Sequence, residues 1–511
     1  MANRHVTCDV AIVGAGPVGA TLAALLGQGG LRVFIGDSSR DIYPLPRAAH
    51  FDHEIMRVFQ QLGITDAIAD SIIAADRYVF QNGEGVVLLD FDLSRPAETG
   101  WKGYMMHQPG IERAIRDRLA ADPRVELATG LTFARHEDDG EGVTSFWTEE
   151  AGEVEVRSRF LVGCDGAWSP VREGAGLTLD DLGFDEPWLV LDVEVDPANG
   201  LPTTNMQYCN PERPTTYVIM GNSRRRFEFM LKPGETPEQM LADERIADLL
   251  KPWNTRGLRR VERKAVYRFH ALVAHRWRKG RVFIAGDAAH QMPPFAGQGM
   301  CSGIRDAVAL AWRLPLALDG GGHPHLLDSY QAERDPHVRA ITDAAIATGR
   351  VVCTLDPQMA AGRDAEMLAA KAAGAPMPDI SSPPLRIVFG LPETARAGER
   401  FIQPVAGDGA EGSLRMDDVL GQGAWLIAGR DEDAALVGAG VGVGAGAGAE
   451  HGLRILALSD PLLEPFRPAL ADWLAQAEAP AVLVRADRYI FGTGEADELA
   501  RAYAEQVARN A

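Results

Sequence analysis

The feature that most constrains the fold lies at the start of the chain, where an apolar strand, a glycine-rich turn and a helix follow one another. The apolar pattern predicts a buried strand over residues 6–13 that ends at Gly14. A helix is predicted over residues 17–27, and a second strand over residues 31–35. A strand–helix–strand unit of about 30 residues is the size of a βαβ element with parallel strands. The pattern therefore predicts an α/β domain at this end of the chain.

The turn itself, Gly14-Ala-Gly16-Pro-Val-Gly19, has the residues that a dinucleotide-binding loop needs. Gly14 permits the tight turn, Gly16 lets the backbone approach a pyrophosphate, and Gly19 allows the helix to pack closely on the strand. The helix begins at Pro17, so its free N–H groups and positive dipole end face the phosphates. Asp37, at the end of the second strand, is placed to accept hydrogen bonds from ribose hydroxyls. This motif predicts a dinucleotide site without distinguishing NAD from FAD.

Length, charge and cysteine content narrow the class of protein. A chain of 511 residues is too long for one compact core, which predicts about two to four domains. The formal net charge of −20 disfavours nucleic acid and anionic membranes as partners. The five cysteines include no CxxC pair, which argues against a disulfide framework and predicts no metal site. We find no signal peptide and no apolar run of the roughly 18–20 residues that a membrane helix needs, so a soluble cytoplasmic protein is expected.

Two further motifs resemble those of a known family. GCDGAWSPVR at 163–172 resembles the “DG” motif of the aromatic-ring flavoprotein hydroxylases, the group typified by p-hydroxybenzoate hydroxylase, and RVFIAGDAAH at 281–290 resembles its “GD” motif. With the glycine turn, they span about residues 1–340 in the order that the family shows. CNPERP at 209–214 and RRFEFM at 225–230 are similar to the 3-(3-hydroxyphenyl)propionate hydroxylase branch. The resemblance therefore selects FAD as the dinucleotide.

The same resemblance implies an activity. It implies non-covalently bound FAD, NADH or NADPH as reductant, and O2 as co-substrate. A phenolic ring, here a 3-(3-hydroxyphenyl)propionate-like acid, would be hydroxylated ortho to its hydroxyl through a flavin C4a-hydroperoxide. Two alternatives share the three motifs: a hydroxylase of a larger polyketide-type aromatic, and a flavoprotein oxidase. A phenol reacts faster when deprotonated, so the protein should supply a base or hydrogen-bond acceptor and exclude water.

The resemblance also implies cofactor contacts beyond the glycine turn. Arg47 is expected at the FAD pyrophosphate, Gln108 on the flavin side, and Asp287 at the ribityl chain. Asp165 is expected to influence both FAD and nicotinamide. The remaining expected contacts come from backbone at Gly286, Pro293, Gly297 and Gly299. A helix beginning near the last of these would direct its N-terminus at the flavin N1/C2 edge, which becomes anionic on reduction.

Substrate-facing residues are expected from the β-rich segment 184–273 and from the loop near residue 293. The candidates for the catalytic role are Tyr217, His50, His270 and Arg226. Tyr208 and His107 are further candidates as phenol partners, and Arg225 as a partner of a substrate carboxylate. At position 50, the branch often carries a smaller residue, so the histidine there is expected to reshape the substrate side.

The predicted fold class is α/β, with an FAD-binding Rossmann-like domain, an interleaved β-sheet substrate domain and a C-terminal thioredoxin-like domain. The FAD-binding domain is expected from 1–75, 101–183 and 274–350, the substrate domain from 76–100 and 184–273, a helical connection from 351–399 and the last domain from 400–511. RADRYI at 485–490 resembles a signature in the C-terminal domain of phenol-hydroxylase-type relatives. Because this region has no CxxC, thiol–disulfide exchange is excluded, and we expect a structural role or a homodimer contact.

Overall fold

The structure is a computed structural model that describes residues 4–150, 152–320, 324–380, 382–407, 413–440 and 452–508. Its β-strands in chain order are β1 Arg4–Thr7, β2 Val10–Val13, β3 Val33–Asp37, β4 His50–Phe51, β5 Ile72–Ala74, β6 Arg77–Asn82, β7 Val87–Asp92, β8 Tyr104–Met106, β9 Val125–Thr129, β10 Thr132–Asp138, β11 Val143–Glu149, β12 Gly152–Ser158, β13 Phe160–Gly163, β14 Leu179–Val195, β15 Asn205–Cys209, β16 Thr215–Met220, β17 Arg224–Met230, β18 Leu258–Ala274, β19 Arg278–Lys279, β20 Val282–Ile284, β21 His290–Gln291, β22 Val405–Ala406, β23 Leu414–Arg415, β24 Ala424–Ala428, β25 Leu453–Ala457, β26 Ala481–Val484 and β27 Ile490–Gly494.

The α-helices are α1 Pro17–Gln28, α2 His53–Leu62, α3 Thr65–Ile68, α4 Gln108–Ala120, α5 Pro170–Gly174, α6 Pro237–Met240, α7 Asp243–Leu250, α8 Gly299–Asp319, α9 Pro324–Val352, α10 Pro357–Ala372, α11 Met416–Leu420, α12 Asp431–Gly440, α13 Arg467–Gln476 and α14 Ala496–Ala508. Short 3-10 turns lie at 69–71, 286–288, 294–296 and 461–466.

The predicted βαβ unit is confirmed as β2, α1 and β3, which begin a six-stranded sheet of order β19-β20-β13-β2-β3-β9. Its strands are parallel except for the β19–β20 pair. The predicted first strand over 6–13 is wrong in its length, because the chain changes sheets at Cys8 and Asp9. There, the Cys8 N–H donates to the Arg157 carbonyl at 3.0 Å, and the Asp9 carboxylate accepts from the Arg32 N–H at 2.8 Å. Strand β1 therefore joins β12 in a separate sheet of order β1-β12-β11-β10.

The largest sheet has eight strands in the order β21-β18-β14-β17-β16-β15-β6-β7. Its strands come from separated parts of the chain, and they alternate with the strands of the six-stranded sheet along the sequence. We call one side of the sheet the outer face; it packs Leu191, Phe227 and their neighbours against α6 and α7. The opposite side, which we call the inner face, carries Trp188, Arg226 and Glu228 and contacts the loops at residues 46–47 and 293–299.

The C-terminal region contains a four-stranded sheet of order β25-β24-β26-β27, in which only β24 and β25 are parallel. With α12 between its first two strands and α14 after its last, it forms the βαβ–ββα arrangement of a thioredoxin-like domain. A glycine-rich stretch over 437–449, for which the sequence indicates a loop, lies largely outside the described residues, although its first four residues belong to α12. In the segment before this domain, 351–399, the described helical part is the end of α9 together with α10.

Buried ion pairs attach the C-terminal domain to the rest of the protein. The Glu333 carboxylate of α9 accepts hydrogen bonds from Arg313 of α8 at 2.5 Å and from Arg485 of the RADRYI segment at 2.8 and 2.9 Å. Each of these three side chains is at most 1% exposed. In the same way, Asp417 pairs with Arg57 of α2 and with Arg488. Charges buried this deeply must stay paired, so the domain interface is fixed in register.

Candidate cofactor and substrate site

Three motifs meet at one edge of the six-stranded sheet, because each follows one of three adjacent parallel strands. Gly14 follows β2, Asp165 follows β13 by two residues, and Gly286 follows β20 by two residues. A β-carbon on Gly14, whose φ is 98°, would lie 2.4 Å from the Cys164 carbonyl oxygen, so the first two motifs are in direct contact. In open parallel sheets, ligands bind in the crevice outside the carboxyl ends of the strands. The motifs therefore define one crevice.

The glycines of the first motif have different surroundings. A β-carbon on Gly19 would lie 2.0 Å from the Gly14 carbonyl oxygen, so close packing inside the protein requires glycine there. A β-carbon on Gly16 would meet nothing within 4 Å. Gly16 also has extended backbone angles, φ −71° and ψ −176°, and no side chain caps the N-terminus of α1 that it precedes. The open space at Gly16 and the uncapped N–H groups of α1 together fit an anionic group such as a pyrophosphate.

Asp37 closes the first motif from the end of β3. Its Oδ2 accepts a hydrogen bond from the Ala15 N–H at 2.7 Å, and its Oδ1 accepts from the Ser39 N–H at 2.8 Å. The carboxylate therefore holds the glycine turn at the carboxyl end of β3. This position is compatible with the ribose contact expected from the sequence.

The second motif is organised around Asp165. Its carboxylate accepts hydrogen bonds from the Ser169 hydroxyl at 2.5 Å and from the Val171 N–H at 3.0 Å. Burial raises the pKa of this carboxyl above its usual range, and the two hydrogen bonds oppose the rise. Arg172, 5% exposed, donates to the carbonyls of Ala167 and Ala288, so it joins the second motif to the third.

The third motif rests on a buried charge network. The Gly286 N–H donates to Asp306 at 3.0 Å, and the same carboxylate pairs with His290 at 2.6 Å and Arg334 at 2.8 Å. Asp287 is exposed at the surface of the crevice. The protein atoms around its carboxyl group still displace much of the surrounding water, and this desolvation raises the pKa of the carboxyl. The charges of His290 and Arg47 oppose this rise in the pKa.

Arg47 lies on a loop that the Gln108 side chain holds in place. Gln108 Oε1 accepts hydrogen bonds from the N–H groups of Arg47 and Ala48 at 2.9 and 2.6 Å, and Nε2 donates to Glu112 at 2.7 Å. Both the oxygen and the nitrogen of the Gln108 amide therefore form hydrogen bonds within the protein. The position of Arg47 is consistent with the expected pyrophosphate contact, whereas Gln108 is placed to act through the loop.

The segment 293–299 forms the other wall of the crevice. Gly297, with φ 63°, ends a 3-10 turn, and α8 begins at Gly299 without a side-chain cap. His50 lies directly beneath this segment, with Nδ1 at 3.5 Å from the Gly297 carbonyl oxygen. Burial lowers the pKa of the His50 imidazole, so the neutral form is favoured. Of the four candidates for the catalytic role, His50 is the one that contacts a cofactor-side loop through its ring.

Arg226 lies on the inner face, but its donors are committed to the protein. Its guanidinium binds Asp192 at 2.7 and 3.1 Å and donates to the carbonyls of Pro46 and Arg47 at 2.6 and 2.8 Å. The expectation that it binds substrate directly is therefore not supported by this geometry. Instead, Arg226 connects the eight-stranded sheet to the loop that carries Arg47.

The strand registers place the other substrate candidates away from the crevice. Tyr217 is fully buried on the outer face, where its hydroxyl donates to the Pro202 carbonyl at 2.9 Å and burial raises its pKa to about 12. His270 pairs with Asp185 across β14 and β18, in register with the outer face. Tyr208 donates to the Gly83 carbonyl at 3.0 Å, and its ring packs against Trp253 of the outer-face cluster.

The two remaining candidates, Arg225 and His107, lie in different surroundings. Arg225 points to the outer face, next to Tyr217, and donates to the carbonyls of Gly221 and Arg224. His107 precedes α4 and is half-buried; desolvation and the charge of Arg224 lower the pKa of its imidazole.

Residues that the sequence did not single out also lie at the crevice. Arg116 of α4 donates to the Ala15 carbonyl at 3.2 Å, and its Nε is buried with no partner in the described structure. On the inner face, Gln207 donates to the Tyr78 hydroxyl at 2.7 Å, which in turn donates to the Phe295 carbonyl at 3.3 Å. Glu228 lies beside this chain. The alternation in RRFEFM puts residues 226, 228 and 230 on one face, and that pattern was the available signal.

Within the described residues, no cluster of three or more histidine, cysteine or acidic side chains has a geometry suited to a metal ion. Each of the five cysteines is free. Among the described helices, none is both long and apolar enough to cross a membrane.

One crevice joins a glycine turn, an uncapped helix N-terminus and two acidic motifs at adjacent parallel strand ends. These features define a dinucleotide-binding flavoprotein. The family model described as “FAD binding domain” matches residues 7–345. The chain belongs to this family of FAD-dependent aromatic hydroxylases, which confirms the family, the FAD cofactor and the enzyme class predicted from the sequence.

Known relatives cover nearly the whole chain. A protein of Rhodococcus jostii (strain RHA1) named probable NADH-specific resorcinol 4-hydroxylase is 39% identical over 511 residues, covering 98% of this chain and 94% of that protein. A 3-(3-hydroxy-phenyl)propionate/3-hydroxycinnamic acid hydroxylase of Mycobacterium sp. (strain JLS) is 35% identical over 451 residues, 84% of this chain and 77% of that one. The flavin-dependent monooxygenase PieE, solved with FAD and substrate, has the same fold, with a TM-score of 0.79, 22% identity and coverage of 98% and 99%.

Proposed function

We propose that this enzyme uses NADH and O2 to hydroxylate a phenol with a substituent at the meta position, ortho to the phenol hydroxyl. The observation that supports this most is the convergence of the three motifs at the ends of β2, β13 and β20, together with the Arg226 contacts that join the inner face of the eight-stranded sheet to the loop of Arg47. Both named relatives are, by their names, hydroxylases of meta-substituted phenols: resorcinol in one case and a 3-hydroxyphenyl acid in the other. A cytoplasmic location and a homodimer belong to the same proposal.

The residues predicted from the sequence divide the work of holding FAD. Gly14, Gly16 and Gly19, with the start of α1 at Pro17, would hold the pyrophosphate from one side and Arg47 from the other. Asp37 would meet the ribose, and Asp287 the ribityl chain. The remaining contacts would come from Gly286, Pro293, Gly297 and Gly299, with Asp165 and Gln108 positioning their loops. Bound FAD supplies the redox and oxygen chemistry, which needs no protein nucleophile.

The protein's own part in the reaction is to bind, orient and dehydrate the ring. Trp188, Phe269 and Phe295 form an aromatic cluster, with Trp188 and Phe295 centroids 5.4 Å apart at 70°. This cluster is packed, with Trp188 0% and Phe295 4% exposed, and forms the apolar backing of the 293–299 wall of the crevice. It would keep water from the reacting atoms, which protects against unproductive loss of the reducing equivalents.

The test is to follow NADH oxidation by the purified FAD-loaded enzyme with a panel of phenols and to quantify the product of each. We expect NADH consumption to be stimulated by meta-substituted phenols, with product formed in a matching amount. If NADH is consumed with no hydroxylated product from any phenol, the protein is an oxidase and the proposal is wrong. Larger polyketide-type aromatics in the same panel test the other alternative.

A pair of variants tests the cofactor placement. Asp287→Ala should lower the FAD content of the purified protein. Asp343→Ala, which removes an exposed carboxylate from α9, is the matched control and should keep it. Equal FAD content in both variants would contradict the ribityl contact.

A further inference from the structure

The inner face carries a buried carboxyl group, that of Glu228, which the cofactor site does not use. Glu228 lies on β17 between Arg226 and Met230, and its side chain is only 8% exposed. The nearest cation is Arg226 Nη1 at 3.9 Å, beyond hydrogen-bonding distance, and that guanidinium is already bound by Asp192 and two main-chain carbonyls. Among the described residues, no hydrogen bond to either Glu228 oxygen is present.

The neighbours of Glu228 place it over the crevice. Two residues before it, Arg226 holds the loop at 46–47. Two residues after it, Met230 pairs with Trp188, whose ring contacts Phe295 of the opposite wall. The two walls meet where His50 reaches Gly297. Glu228 therefore faces the space bounded by both cofactor-side loops, where a ring over the flavin would lie.

The polar groups around Glu228 leave it available to a ligand. Its strand neighbours Val190 and Thr216 flank it, and the Thr216 hydroxyl donates to Gln207 at 2.6 Å rather than to the carboxylate. Gln207 in turn donates to Tyr78. Burial raises the pKa of Glu228, while the charge of Arg226 opposes the rise. A largely buried carboxylate without a hydrogen-bond donor gains from a donor that a ligand supplies.

From this geometry, and resting on the proposed function, we propose that Glu228 accepts a hydrogen bond from the meta hydroxyl of the substrate, so that the enzyme takes a neutral dihydroxybenzene of the resorcinol type in preference to a phenolic carboxylate. A second hydroxyl supplies the donor that Glu228 lacks. A substrate carboxylate in the same position would bring a negative charge against another in a desolvated site. The two arginines of this face that lie nearest Glu228, Arg226 and Arg263, bind Asp192 and the Pro46 carbonyl through their terminal nitrogens, which leaves those nitrogens poorly placed to neutralise a substrate carboxylate. The sequence predicts a phenolic acid as the substrate, whereas this proposal keeps the phenol and replaces the acid group with a second hydroxyl.

The experiment is a binding titration of the oxidised FAD enzyme, followed by flavin absorbance, with resorcinol and with 3-(3-hydroxyphenyl)propionate as probes. The wild type should bind resorcinol more tightly. Glu228→Gln keeps an uncharged acceptor but removes the charge from the hydrogen bond, and should weaken resorcinol binding by about threefold to tenfold. Its affinity for the phenolic acid should stay the same or increase, because a negative charge has been removed.

Glu186→Gln is the matched control. Glu186 lies on β14 of the same sheet, and burial likewise raises the pKa of its carboxyl, but the neighbouring charges are Asp185 and Arg268 rather than the crevice arginines. It should leave both affinities at the wild-type level. FAD content and Tm are measured for each variant. If Glu228→Gln does not fold, Glu228→Asp, which keeps the carboxylate but shortens its reach, should weaken resorcinol binding selectively.

A wild type that prefers the phenolic acid, or a folded Glu228→Gln enzyme with unchanged resorcinol affinity, would overturn the assignment. Failure of the proposed function looks different. In that case no phenol yields product with NADH, whereas the binding preference and its dependence on Glu228 are still measured in the oxidised enzyme.

Discussion

Replacing Gly16 with valine separates a cofactor role from a structural one, because the two roles make opposite demands at this position. The β-carbon of residue 16 would meet no protein atom within 4 Å, and its backbone angles suit any residue. Within the protein alone, the β-carbon of a Gly16→Val variant therefore meets no clash. Loss of glycine flexibility in the unfolded chain would even stabilise the apoprotein by about 0.4–1 kcal/mol. Only a ligand that approaches the backbone at Gly16 makes glycine necessary.

The magnitudes follow from this contrast. Valine in the space of the pyrophosphate should weaken FAD binding at least tenfold, about 1.4 kcal/mol. At a free FAD concentration 100 times the wild-type Kd, bound FAD stabilises the folded state by about 2.7 kcal/mol, and a tenfold weaker Kd lowers this to about 1.4 kcal/mol, so the variant should lose about half or more of the FAD-dependent rise in Tm. Gly19→Ala is the contrasting variant. Its β-carbon would lie 2.0 Å from the Gly14 oxygen, whereas real contacts essentially never fall below 3.0 Å, so backbone must move by about 1 Å. That variant should also lose apoprotein stability, by about 1–3 kcal/mol.

The assay uses apoprotein freed of FAD, with Tm followed by circular dichroism and FAD affinity by quenching of flavin fluorescence. We expect Gly16→Val to keep the apoprotein Tm and lose affinity, and Gly19→Ala to lose both. A Gly16→Val protein that binds FAD as tightly as the wild type would refute the reasoning, because the pyrophosphate would then lie elsewhere.

Further predictions concern groups that the structure buries. Gln108→Leu leaves the N–H groups of the 47–48 loop without their acceptor, at about 1–3 kcal/mol for each buried group, and should lower both Tm and FAD content. Arg226→Met leaves the fully buried Asp192 with only the longer contact to Arg263 at 3.5 Å and should destabilise the protein by up to about 3–5 kcal/mol, while the double variant with Asp192→Asn should recover part of the loss in Tm. Glu333→Gln should loosen the C-terminal domain, seen as faster limited proteolysis between the domains. Burial raises the pKa of Glu228 above its ordinary 4.5, so the protonated carboxyl favours the folded state below pH 4.5. This contribution to stability is lost as the pH rises through the raised folded-state pKa. Glu228→Gln should therefore have a higher Tm than the wild type at neutral pH, and the difference should close in acid.

The FAD crevice was predictable from the sequence because its requirements are local. Gly14, Gly19 and Asp37 act through the backbone of one βαβ unit, and the order of the strands brings the other motifs to the same edge. The substrate side was not predictable in this way. In RRFEFM, a shift of one residue exchanges the two faces of the sheet, and the alternation does not say which face meets the flavin. Arg226 and Tyr217 therefore looked equally suitable, although one lies on the inner face and the other in the outer core.

The roles of individual side chains also depend on partners distant in sequence. Arg226 is occupied by carbonyls about 180 residues away, and Gln108 by a loop about 60 residues away. No local pattern contains that information. The same is true of Glu228, whose importance lies in the partners it lacks.

The most direct test of the central claim is to run the reaction under dioxygen labelled with the heavy oxygen isotope and to determine the mass of the product. With resorcinol, NADH and the FAD enzyme, we predict a hydroxylated product that carries one labelled oxygen atom, in an amount that matches the NADH consumed. A product without the label, or NADH oxidation that yields only hydrogen peroxide, would contradict the account of this protein as a monooxygenase.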